Sequence, residues 1–157
     1  SWIRYALLFV VAAGAAAQAT GRELNGYWSC PATMQLAAVG QNQLSLQLKT
    51  RSHLRSEGRY ESEGDAIVQL GRWPLTLAAT SHGRWVREQE RVTVTVEALE
   101  LAPGSTSGVE LQRYVIQQLK ALFPTFPHTQ VTHILVETPS QLVLEDEFGE
   151  QYTCNRL

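Results

Sequence analysis

The chain reads as a mainly β protein, an antiparallel meander closing into a small barrel of about eight strands with one covering α-helix. Three observations lead there. Short segments of alternating apolar and polar residues recur along most of the 157 residues, separated by Gly, Pro, Asn and Ser clusters, which is the arithmetic of a barrel or sandwich. One stretch, about 107–123, has convincing helical periodicity. The two cysteines, Cys30 and Cys154, sit in apolar-aromatic segments at opposite ends of the sequence, as a fold needs if its first and last strands are neighbours.

The length suits one domain. There are 13 Lys+Arg against 15 Asp+Glu, interleaved along the chain, so no basic stripe exists to neutralise phosphates and nucleic acid is not an expected partner. At the start, Arg4 precedes an apolar run from Tyr5 to Val11, and an alanine-rich stretch leads to Ala17-Gln18-Ala19. That is the layout of a signal peptide, with cleavage expected after Ala19 and residues 20–157 forming a single barrel-like domain. The apolar run is short for a membrane span, which needs about 20 residues; the alternative is an uncleaved anchor. The expected mature form has no membrane span and is periplasmic or secreted. In such an oxidising compartment Cys30 and Cys154 are expected to be bonded. The competing reading, two buried free thiols, needs a reducing compartment.

The first strand falls within residues 22–36 around Tyr27 and Trp28, with Pro31 marking it as edge-tolerant. Gly40-Gln-Asn-Gln43 is a turn, and Leu44, Leu46 and Leu48 then alternate with polar residues as a half-buried strand. Residues 51–65 predict a short strand between turns at Ser56-Glu-Gly58 and Glu63-Gly-Asp65. Ala66–Leu70 and Trp73–Leu77 are β-rich on either side of Gly71, and Ser81-His-Gly83 predicts another turn. Val86 and the run Arg91–Leu101 make a hairpin around Arg87-Glu-Gln-Glu90, with Val92, Val94 and Val96 on one face. A loop over 102–108 precedes the helix. Ser107 and Glu110 have capping-box spacing, Leu111, Val115, Leu119 and Leu122 form the packing stripe with Tyr114 and Phe123 at its flanks, and Pro124 stops it. The helix either packs on the sheet or acts as a lid over an open end. The last strands are 131–137, 142–144 and 151–156.

Three Gly-Arg-aromatic triplets, Gly58-Arg-Tyr60, Gly71-Arg-Trp73 and Gly83-Arg-Trp85, recur at near-regular spacing. They describe either an aromatic and guanidinium array on one surface, fit to stack on sugars or bases, or a meander in which each aromatic enters the core and each Arg is solvated. No nucleophile elbow, Walker loop, zinc-protease helix or dinucleotide fingerprint is present. Ser52-His53 and Ser81-His82 are adjacent pairs whose side chains point to opposite faces of a strand. His53, His82, His128 and His133 have no metal-ligand spacing, and Glu145, Asp146, Glu147 and Glu150 mark a solvated hairpin tip. The expectation is a chain without catalytic centre, metal or cofactor.

The ends carry a family resemblance. Gly26-Tyr27-Trp28 is similar to the Gly-x-Trp of the first strand of lipocalin-like, or calycin, barrels, and Arg156 is placed like the Arg that packs over that Trp in them. The resemblance implies that Trp28 and Arg156 form a structural pair closing the barrel floor by a cation–π contact. Alternation supports it, since Trp28 lies two residues before Cys30 and Arg156 two after Cys154. Two functional readings remain. One is an exported, non-catalytic binding module for a small apolar or amphipathic ligand, with Trp73, Trp85, Val92, Val94 and Val96 as its ligand-facing residues. The other is an accessory or inhibitor protein with a filled core that meets an envelope or secreted partner through an exposed apolar patch.

Overall fold

The computed structural model describes residues 24–39, 42–70 and 72–157; the expected leader and its cleavage site lie outside them, as do Gly40, Gln41 and Gly71. Eight strands run β1 Gly26–Val39, β2 Asn42–Leu54, β3 Arg59–Leu70, β4 Trp73–Glu88, β5 Arg91–Pro103, β6 His128–Glu137, β7 Gln141–Glu145 and β8 Gln151–Arg156, with helix α1, Val109–Lys120, between β5 and β6. Every strand pairs antiparallel with its sequence neighbour, and β1 pairs with β8 to close the ring. No helix among the described residues is long and apolar enough to cross a membrane.

Alternation decides which side chains enter the barrel. In β4 the buried positions are Leu77, Ala79, Gly83 and Trp85, every second residue apart from the half-buried Ser81. Two expected turns are strands instead. β3 runs unbroken through Glu63-Gly64-Asp65, and β4 runs through Ser81-His82-Gly83. What the second signal marks is a bulge: His82 pairs with Ala98 and Gly83 with Val96, leaving Glu97 as the extra residue of β5. Gly83 is a glycine because its strand lies against the Tyr60 ring and the Thr95 carbonyl, where a Cβ would collide with both. The bulge turns Glu97 outward to receive Arg84 at 3.1 Å and Arg59 at 3.5 Å. Gly71, expected to interrupt the strand, lies outside the described residues; on either side of it Leu70 pairs with Trp73.

The ring is uneven. β1 to β5 have 12 to 16 residues, while β6, β7 and β8 have 10, 5 and 6. β6 therefore covers only Arg91–Val96 of β5, and the far ends of β1 to β5 extend past the short strands. Over that extension α1 lays Val115, Ile116 and Leu119 against Leu46, Val68, Leu77 and Leu101.

The helix sits differently from its predicted stripe. Leu111, Tyr114 and Leu122 are exposed, and the buried face is Gln112, Val115, Ile116 and Leu119. The capping box does not form either: the N-cap is Gly108, with φ 70° and no side-chain cap. Gln112 explains both departures. Its Oε1 accepts from Gly104 N at 2.7 Å, and its amide donates to the carbonyls of Ser105 and Ser107 at 3.2 and 2.8 Å. A buried amide whose donors and acceptor are met costs little to bury, so it displaces a leucine from the inner face and pins the loop in place of a cap.

Candidate functional site

The floor of the barrel is built from the two chain ends. Trp28 lies opposite Arg156, and Ser29 opposite Asn155; the next pair in that register is Cys30 and Cys154, which are bonded. Their Cα atoms are 4.3 Å apart, the spacing of directly opposed residues that exchange no backbone hydrogen bonds. The Arg156 guanidinium carbon sits 4.3 Å above the Trp28 ring, within cation–π range. Nε and Nη1 of Arg156 donate to the carbonyls of Pro139 at 2.8 Å and Asn25 at 2.7 Å, and the Trp28 indole N–H donates to Leu24 O at 2.9 Å. Gly26 has φ 124°, and a Cβ there would lie 2.9 Å from Arg156 Nη1; a glycine permits both that backbone and that close approach.

Above this floor is a cavity of about 180 Å³. Trp28, Tyr60, Trp85 and Tyr152 supply its aromatic walls, Leu24, Leu54, Val92, Val94, Leu142 and Leu144 its aliphatic ones, and the disulfide part of one side. Trp85 is fixed by an N–H donated to Arg55 O at 3.1 Å. Among the described residues no charged side chain lines the space. The polar residues of the lining all carry hydroxyls: Ser52, Tyr60, Thr132 and Tyr152. Burial raises the Tyr60 phenol above its ordinary value, against a lowering hydrogen bond with Ser81, and the charge of Glu97 adds to the rise. The Tyr152 phenol is pushed up to about 12, by burial first and by the Asp146 carboxylate second. Both are neutral donors at physiological pH.

Of the five residues expected to face a ligand, Trp85, Val92 and Val94 line the cavity, and Val96 packs against the same cluster. Trp73 does not. It opens β4 at the far rim and is 79% exposed, because correct parity places a side chain inside only where the opposite wall reaches that height. Tyr152 and Thr132 carry no signal of their own in the sequence reading, and Tyr60 and Ser52 enter it only through the Gly-Arg-aromatic triplet and the Ser52-His53 pair. The available signal was period 2: Tyr152 shares the face of Cys154, and Tyr60 that of Ala66 and Val68.

The triplets split along the same alternation. Tyr60 and Trp85 point in, while Arg59 and Arg84 project outward to Glu97. The outer face of β1 to β4 forms an open polar groove of about 790 Å³, in which the Tyr27 ring stacks on His53 at 4.1 Å and carries Arg51 at 4.6 Å. The histidines do not converge. His53 stacks on Tyr27, His82 lies 3.6 Å from Glu97, and no group of three His, Cys, Asp or Glu side chains suited to a metal forms among the described residues. The carboxylates at the β7–β8 tip serve the backbone: Asp146 accepts from the N–H groups of Phe148 and Glu150, and Glu147 from Val131.

No protein-family model matches the chain, and no curated protein matches it. The solved structure of an uncharacterized protein from Bacteroides eggerthii DSM 20697 is similar with a TM-score of 0.41 and 14% sequence identity, over 85% of this chain and 98% of that one. A likeness at that level says nothing about function.

Proposed function

We propose that the protein is an exported, non-catalytic binding module that holds one small apolar or amphipathic molecule inside its barrel. The observation that carries this reading is the uncharged, aromatic-walled cavity of about 180 Å³ beside the disulfide. A dry apolar cavity of about 150 Å³ is enough to take a benzene-sized guest, whereas drug-sized ligands need about 300 Å³ or more. The occupant is therefore a single ring or a short branched chain. The Cys30–Cys154 bridge is consistent with an oxidising compartment, and the Arg4-to-Ala19 layout supports export with cleavage after Ala19. The contact of Arg156 with Trp28 and the up-and-down order of eight strands support a lipocalin-like origin; α1, inserted between β5 and β6, departs from that pattern.

The exposed Leu111 and Tyr114 of α1, with exposed Leu122 just past its end, favour a second reading, an accessory protein that docks an envelope or secreted partner there. Native mass spectrometry of protein purified from its own envelope or medium separates the two. Retention of a molecule no larger than about ten heavy atoms supports the binding module. A retained protein with an empty cavity supports the accessory role and overturns the first reading.

A further inference from the structure

We infer that the cavity selects a small neutral molecule with one hydrogen-bonding oxygen, and that the Tyr152 hydroxyl is its anchor. This rests on the cavity reading above. The hydroxyls of the lining divide into two kinds. Thr132 Oγ1 donates to Val92 O at 3.2 Å, and Tyr60 bonds to Ser81, whose hydroxyl is 2.6 Å from that of Ser62. Ser52 and Tyr152 have no hydrogen-bond partner among the described residues.

Their places in the fold differ. Ser52 lies across the strand from Trp28, at the closed floor. Tyr152 is the inward residue of β8 just beyond Cys154, and it borders two outer clefts as well as the cavity: one along the β1–β8 seam with Pro31 and Thr33, the other between β1 and β6 with His128 and Thr132. The β1–β8 ladder has its last hydrogen-bonded pair at Ser29 and Asn155, and the disulfide is the last link between the two strands. Past it no further β1–β8 pairing follows among the described residues. A guest entering there passes the phenol, sends its apolar body toward Trp85 and Val94, and leaves its polar end beside Tyr152.

Selection follows from the cost of covering a polar group. A hydrocarbon seated against Tyr152 strips water from the phenol and returns nothing, whereas an oxygen on the guest replaces the lost bond. A charged guest finds no counter-charge in the lining.

Toluene and phenol, nearly equal in size, test the assignment by tryptophan-fluorescence titration at neutral pH. In Tyr152→Phe the phenol-to-toluene affinity ratio should fall about fivefold, one net hydrogen bond, with toluene affinity within about twofold of the starting protein. In Ser52→Ala the ratio should hold. An unchanged ratio in Tyr152→Phe, or a fall in Ser52→Ala instead, overturns the anchor while leaving the cavity reading intact; failure of both probes to bind the unsubstituted protein overturns the cavity reading itself. If Tyr152→Phe does not fold, the ¹³Cζ resonance of Tyr152 in the unsubstituted protein reads the same bond. A shift with phenol and none with toluene supports it, and equal shifts overturn it.

Discussion

The two halves of the barrel interior are walled by the same strands and are packed in opposite ways. On the helix side only β1 to β5 form the wall, yet Leu46, Val68, Leu77 and Leu101 with Val115, Ile116 and Leu119 of α1 leave every one of these residues buried. On the floor side all eight strands close the ring, yet a cavity remains among Trp28, Tyr60, Trp85 and Tyr152. Branched aliphatic side chains from a helix and a sheet interdigitate to native density. Large planar rings held by hydrogen bonds, as Trp28 is to Leu24 O and Trp85 to Arg55 O, cannot collapse into the space between them. An eight-stranded barrel is just wide enough for side chains to fill it or for one small guest, and here each half takes one of those options. Solidity is assigned to the helix side and capacity to the floor.

The largest expected effect breaks the floor. Replacing Cys30 and Cys154 by alanine removes a cross-link with sequence separation 124, a loss of about 4–5 kcal/mol in the chain-entropy account, read by urea unfolding. Hydrogen exchange should show β1, β7 and β8 losing protection before β2 to β4. Next, Trp28→Ala should cost about 3–5 kcal/mol and lower the melting temperature, since the ring is 1% exposed and carries Arg156; unchanged stability would show that the pair is not structural. A matched pair of added methylenes then sharpens the contrast. Val68→Ile, on the packed side, should destabilise by about 1–3 kcal/mol through overpacking. Val94→Ile, facing the cavity, should be neutral or stabilising by up to about 0.8 kcal/mol per methylene and should weaken binding of a ring-sized guest. Equal costs at the two sites would mean the halves are packed alike. The last effect is alkaline. Tyr152 releases its proton at 10.0 when unfolded and at about 12 when folded, so its contribution is complete below pH 10 and is lost as pH rises to about 12. Tyr60, raised by burial, acts in the same direction. Tyr152→Phe should flatten part of that decline in a thermal melt.

Much of this was legible in the sequence because period 2 is a strong signal wherever one face is buried. The Val92–Val94–Val96 face and the inward Trp85 follow from parity, the pairing of Cys30 with Cys154 from their being the two cysteines of an expected exported chain, and the meeting of Trp28 with Arg156 from the lipocalin-like resemblance with parity in support. Parity fails at rims, as Trp73 shows, because it gives a direction and no height. Glycine was misread in Gly64 and Gly83, where a close approach or a bulge produces the same residue as a turn. The helix face is half legible: Val115 and Leu119 of the expected stripe are buried, but hydropathy ranks Leu111 above Gln112, while burial also depends on whether polar atoms are satisfied, and that is known only once the 104–108 loop is placed beside the helix. The hollow floor was left open for a related reason, since a list of inward aromatics does not state whether their rings meet.

The most direct measurement is an intermolecular NOE experiment with toluene bound to methyl-labelled protein. The account predicts NOEs from the ring protons to the methyl groups of Val92, Val94 and Leu144 and to the Trp85 indole, with none to Val68 or Leu77. NOEs to Val68 and Leu77, or to Leu111 and Tyr114 on the outer face of α1, would contradict it.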